Sequence, residues 1–343
     1  MIASRALAVS LCAVALLSGT VPSRAQTTDA LYEQAKLENT VVLYGAGPPE
    51  PFKRWIADFE SQYPDVTVAF TGGLSNTLDK KIDAQLAAGT MEADVGIFQT
   101  IQDFVRWKAG DALLLFKPQG FEAIDPAFKD EDGAFATVSV NMVTYAYNTE
   151  KLAAAEVPKS ALDFLKPAFA GKLITTDPSD DDAGFMAFHA IVDKYGWDYM
   201  DKYMALKPRF TRDGHAVVSN AVAAGEALAT FDSTSTTPRL IREGKPIALV
   251  VSADDPTPLF LVAAAIFKGA PHPNAAKLFV DWYLAPEQQS RNGAFSARAD
   301  VKPPAGFAPL SSYKLDRSFR ALHSDPANLA PLKARFAGYV AGH

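Results

Sequence analysis

The stretch Thr137-Val-Ser-Val-Asn-Met-Val-Thr-Tyr-Ala-Tyr147 decides the fold. It is β-branched or aromatic at most positions and has no Gly or Pro. At eleven residues it is about twice the usual strand length. A strand that long outgrows one ordinary sheet, so it reads as a segment crossing from one lobe to another. A second crossing is expected at Pro246 to Val251, which returns the chain to the first lobe at Leu259 to Phe267.

The flanking sequence alternates strand and helix signals. Before the crossing come strands at Thr40–Tyr44, Val66–Phe70 and Val95–Phe98. They alternate with helical spacings at Phe52, Trp55, Ile56 and Phe59, at Leu78, Ile82 and Leu86, and at Ile101, Phe104 and Val105. Pro64, Gly89 and Gly110 end the three helices. Short strand–helix–strand intervals predict parallel sheets with helices on their faces. After the crossing, strands at Lys172–Thr176 and Ala227–Phe231 bracket helices beginning near Ala183, Trp197 and Ala216. A helix at Asn274–Leu284 and a Pro-rich tail, Lys302–Pro309, lead to a last helix near Leu329–Val340. The expected fold class is α/β, with two doubly wound lobes joined by crossing strands and a cleft between. Lobe 1 is 26–138 plus 254–300, lobe 2 is 142–250, and 301–343 is a tail packing on the lobes.

The 343 residues suit about two domains, and 48% apolar content can fill two cores. A net charge of -6 argues against a nucleic-acid groove, which needs clustered Lys and Arg. One cysteine excludes a disulfide framework and a thiolate metal site. No motif asks for a cofactor or a metal. Arg5, the apolar run Ala6–Leu17 and Ser23-Arg-Ala25 read as a secretory signal, residues 1–25, cleaved after Ala25. The run is too short to span a bilayer. Cys12 leaves with it, so the exported chain has no cysteine and rests on its cores.

Several pieces, in this order, resemble the periplasmic solute-binding proteins of ABC importers, in the branch that includes ferric-iron-binding proteins. They are Val41-Val-Leu-Tyr-Gly45, Phe59-Glu-Ser-Gln-Tyr-Pro-Asp-Val-Thr-Val68, Ala93-Asp-Val-Gly-Ile97, Tyr147-Asn-Thr-Glu-Lys-Leu152, Phe164-Leu-Lys-Pro-Ala-Phe-Ala-Gly-Lys172, Ala224-Gly-Glu226 and Ala270-Pro-His-Pro-Asn-Ala-Ala-Lys-Leu-Phe-Val-Asp-Trp282. The resemblance implies a type II two-lobe fold. It would close on a small polar solute and hand it, as a periplasmic monomer, to a permease and ATPase complex. It also carries a departure. Iron-binding members have adjacent tyrosines where this chain reads Phe231-Asp-Ser-Thr-Ser-Thr-Thr-Pro238, with Thr234 and Ser235 at the expected place. Neutral hydroxyls are poor ligands for Fe³⁺, which favours anionic oxygens, so a ferric-iron-binding protein of an iron importer is the alternative to the polar-solute reading.

Ligands of such folds meet the loops after strands. The expected contacts are therefore Gly45, Ala46 and Gly47, then Gly73 and Ser75, and Gln99. In the second lobe they are Asp181 and Asp182 in Asp177-Pro-Ser-Asp-Asp-Asp-Ala-Gly184, Arg212 and His215, and Asp232, Ser233, Thr234 and Ser235. The acids suit N-capping; alternatively Asp181 or Asp182 faces the cleft and accepts from a cationic or hydroxyl-rich solute. Ser75 or Asn76 is expected to cap its helix. A secreted hydrolase is the enzyme alternative, but GxSxG, HExxH and a nucleophilic cysteine are all missing from the sequence.

Overall fold

In the computed structural model, the described residues are 28–47, 49–291, 294–323 and 325–342. The signal reading at 1–25 lies outside them. Among the described residues ten strands follow in chain order: β1 Thr40–Ala46, β2 Thr67–Gly73, β3 Val95–Phe98, β4 Ala136–Asn148, β5 Ile174–Thr176, β6 Arg209–Thr211, β7 Ala229–Ser233, β8 Ile247–Val250, β9 Thr257–Ile266 and β10 Leu315–Asp316.

β4 belongs to two pairings in succession. Its first part, Ala136–Met142, pairs antiparallel with β9. Its second part pairs with β7 from Val143 and with β8 from Tyr145. Buried along nearly its whole length, it is apolar or Thr at almost every position because both faces are covered. The expected crossing is therefore present, one residue longer at each end.

Two expectations are corrected. The first sheet is mixed: β2, β1 and β3 are parallel, but β9 enters antiparallel between β3 and β4. An apolar run such as Leu259–Phe267 has the same pattern in either direction, so spacing could not orient it. The second crossing also falls later than Pro246–Val251. There β8 is still paired with β4 in the second lobe, and the return to β9 is made by residues 251–256.

Each lobe builds its own aromatic core, and the two run into one cluster along β4 and β9. In the first lobe, Phe104 stacks on Phe135 and meets Trp107 edge-on, with Phe98 and Phe267 alongside. In the second, Phe231 stacks on Phe164 and receives Tyr145 and Phe188 edge-on. Pairs of this kind add about 0.5–1.5 kcal/mol each beyond area burial. The helix Asp182–Tyr195 lies over β9, β4 and β7, on the shared strands themselves. The helix Pro273–Tyr283 is held by Glu38, whose carboxylate accepts from the N–H of Asn274 and Ala275, satisfying donors that a helix start leaves open. Helices at Thr28–Glu38, Thr237–Arg242, Pro286–Arg291 and Phe319–His323 were not foreseen. The last three are of six residues or fewer, too short for periodicity to register.

Candidate functional site

Strand direction places the site. β4 is antiparallel to β9 and β9 to β3, so β4 points the same way as β1, β2 and β3. β7 is antiparallel to β4, and β5 and β6 run parallel with β7. The carboxyl ends of β1–β3 thus point at the second lobe, and those of β5–β7 point back. Ala263 is flanked by Phe98 and Thr137, while Ser233 lies opposite Val143. Six residues of β4 separate these levels, a gap of roughly 20 Å at about 3.3 Å per residue. Two sets of strand ends facing across such a gap form a cleft of the kind in which α/β proteins bind ligands.

On the first wall, Gly45 and Ala46 end β1, and the Gly47 N–H donates to the Gly73 carbonyl at 2.7 Å. Gly45 has a packing reason to be glycine. A Cβ there would stand 2.7 Å from the Phe70 ring and 3.0 Å from that of Phe52. Ser75 Oγ approaches the Gln99 N–H at 3.5 Å, joining the ends of β2 and β3. The N-cap of the helix Ser75–Ala88 is Leu74, with no side-chain cap bond, so the expected cap at Ser75 or Asn76 is corrected. The side chain of Asn76 lies outside the described residues.

The second wall is an ion network. Asp181 caps the helix Asp182–Tyr195, accepting from the Gly184 N–H at 2.6 Å and the Thr176 hydroxyl at 3.0 Å. A Cβ on Gly184 would collide with that hydroxyl, so glycine is what lets the helix start sit on the end of β5. His215, at the start of the helix His215–Ala223, is clamped between two acids. Nε2 is 3.0 Å from Asp181 and Nδ1 is 3.0 Å from Asp232. Both ring nitrogens face carboxylate oxygens, so both donate. Burial alone would push the imidazolium down, but Asp181 and Asp232 outweigh it and raise its pKa to about 10. Asp181 is correspondingly lowered: burial opposes the carboxylate, and His215 with the Gly184 amide prevails. Asp232, fully buried, also accepts from the hydroxyls of Ser219 and Thr237.

This cluster is no nucleophile relay. Ser219 Oγ bonds to Asp232, to the His215 carbonyl and to Thr236, not to the imidazole, and no ring nitrogen is left to take a proton.

The remaining expected residues are placed as follows. Asp182 turns to the C-terminal segment, 2.6 Å from Lys333 Nζ and 3.3 Å from His323 Nε2. Burial disfavours its charge, yet His323 and Lys333 hold its pKa at about 2. Arg212, largely exposed, donates through Nε to the buried Asp177 at 2.9 Å. Thr234 bonds reciprocally with the Met142 backbone, amide to carbonyl and amide to hydroxyl, pinning the end of β7 to the crossing strand. Ser235 is exposed. The Ser233 side chain lies outside the described residues. Thr176 and Ser219 were missed as members of the network, whereas Asp177 and Thr237, within stretches the sequence had marked, turn out to bond to Arg212 and Asp232. Only Ser219, one helical turn after His215, carried a spacing that could have revealed it.

Two lobes whose strand ends face each other across a cleft, with β9 entering antiparallel between β3 and β4, have the fold of the type II periplasmic-binding-protein class. Residues 54–305 match the bacterial extracellular solute-binding protein family, and the chain belongs to it. It is similar in fold to iron-bound HitA from Pseudomonas aeruginosa, with a TM-score of 0.74, 18% identity and coverage of 87% of this chain and 99% of that one. AfuA from Actinobacillus pleuropneumoniae, a periplasmic binding protein solved with fructose-6-phosphate, gives 0.74, 21%, 88% and 98%. In sequence the chain is 23% identical over 283 residues to a probable ABC transporter periplasmic-binding protein, y4fP, from Sinorhizobium fredii, covering 80% of this chain and 70% of that one.

Proposed function

We propose that the protein is the periplasmic binding component of an ABC importer. It captures a small polar solute between the facing strand ends and delivers it to a permease and ATPase complex. The observation that supports this reading is the opposed direction of β1–β3 and β5–β7 along the shared strand β4. On this reading the chain is exported, cleaved after Ala25 and monomeric, with lobes bounded near residues 138–142 and 250–254.

The solute is a hydroxylated one, neutral or carrying an anionic group. Asp177 and Asp182 are matched by Arg212 and Lys333, and Asp181 shares the charge of His215 with Asp232, so these acids are engaged by protein partners rather than presented to a cation. What the walls present is Ser75, Gln99, loop amides and Arg212, whose exposed guanidinium is itself paired with Asp177. Phenolate ligation of ferric ion lacks its donors on these loops. No tyrosine occurs in 45–49, 72–76, 99–100, 177–181, 212–215 or 232–237, and Tyr44 and Tyr145 are bonded to Glu92 and Asp255. Mass spectrometry of solute carried through native purification tests the reading. A polyol or sugar derivative released on denaturation is the expected result. A protein purified with stoichiometric ferric ion and no organic solute other than a synergistic anion would overturn the solute class.

A further inference from the structure

Beyond the Pro-rich stretch the chain passes between the lobes a third time. It first lies on the start of β9, next to the hinge, and then on the first lobe. β10 pairs in parallel with the start of β9, Leu315 against Thr257 and Asp316 against Pro258. Arg317 Nη1 reaches Asp125 at 3.3 Å, and Arg320 Nη1 donates to the Lys129 carbonyl at 2.9 Å. Phe319, buried, meets Phe260 edge-on. The helix Pro326–Ala341 then lies on the second lobe. Lys333 binds Asp182 at 2.6 Å, and Tyr339 donates to Asp201 at 2.9 Å. The Arg335 guanidinium covers the Trp197 ring at 3.8 Å, and fully buried Phe336 packs against Phe185, Phe188 and Trp197. His323 joins the two halves, stacked on Phe319 at 4.2 Å with its ring 5.8 Å from that of Phe185.

We infer that this C-terminal segment is a strap that limits how far the lobes rotate about β4 and residues 251–256. Both ends are anchored by buried aromatic packing as well as ion pairs. Rotation of one lobe on the other must therefore loosen an anchorage or deform the segment between. The anchorage on the second lobe is also wired to the cleft wall. Asp182 holds the strap, and its neighbour Asp181 holds His215 at the strand ends. A movement of that wall is thus passed to the strap through a single helix start. The strap is a series element, so freeing either end frees the rotation, and freeing the second end adds nothing.

Pulsed electron–electron resonance tests this without any added solute. Spin labels are placed at the exposed positions Ala57→Cys and Asn220→Cys, one on each lobe, in the full chain carrying Cys12→Ser. Phe319→Ala with Arg320→Ala releases the first anchorage, and Lys333→Met with Phe336→Ala releases the second. Each pair is expected to broaden the interlobe distance distribution to a similar extent, and all four together no further. Asp182→Asn alone keeps the side-chain shape and serves where a pair fails to fold, with a smaller broadening in the same sense. An unchanged distribution, a broadening from one end only, or broadenings that add would each overturn the strap.

Discussion

His215 keeps its proton because each ring nitrogen meets a carboxylate, and the consequence is a pH dependence with a definite sign. Its folded pKa of about 10 lies above the ordinary value of 6.5. The stability it contributes is fully present below about pH 6.5 and is lost as pH rises through 10. Urea midpoints between pH 6 and 10 should fall for the natural protein. His215→Gln should lose this component of the slope. That substitution leaves Asp181 and Asp232 buried beside an uncharged amide, so it should cost about 3–5 kcal/mol at pH 6, read from the same urea curves. A near-natural midpoint at that pH would show that the clamp is not what holds this wall. Gly45 makes a second prediction at this scale. A methyl placed 2.7 Å from the Phe70 ring forces that side chain to move, so Gly45→Ala should destabilise by about 1–3 kcal/mol in denaturant titration. If Gly45 matters only to solute, stability will not change.

Among the elements, β4 is distinguished by belonging to both sheets. Its residues pair in succession with β9 and with β7, and the strand is buried along nearly its whole length. Its amides at Val140–Tyr147 should therefore exchange hydrogen more slowly than those of the peripheral pair β5 and β6, measured by mass spectrometry of peptic fragments. Exchange as fast as in β5 would mean that this pairing and burial do not protect it. This strand was also the most legible element in the sequence, because length, β-branching and the lack of Gly and Pro agree. The helix ends at Gly89 and Gly110 were equally plain, since glycine there terminates the apolar spacing. The direction of β9 was not legible, because a buried strand carries no polarity in its pattern. Nor were the partners at the second wall. Asp181 announced itself as a cap from its position, but its bond to His215 joins residues 34 apart and the Asp182–Lys333 pair joins residues 151 apart. No local rule reaches over such separations, so the acidic turn read as available charge when Asp177, Asp181 and Asp182 were already engaged by distant partners.

Taken as a whole, the molecule is two walls on a shared strand. Solute bridging both should favour the closed arrangement. The solute recovered from purification, added back at saturation, should reduce the radius of gyration in small-angle scattering; an unchanged radius would count against closure. Adding ferric citrate should leave the protein colourless, since the strand-end loops hold no phenol. A visible charge-transfer band would place a tyrosine in the cleft that the strand geometry does not. The position of β9 has a consequence for how the chain is made. It lies between β3 and β4, yet β3 ends at Phe98 and β9 begins only at Thr257. While the chain emerges from the ribosome, the first lobe has an open strand edge that nothing yet synthesised can fill. Its completion waits until most of the polypeptide exists, and pairings so distant in sequence form slowly. A chain with this strand order gains little by beginning to fold early, and its nascent form presents a long-lived unpaired edge for a chaperone to cover.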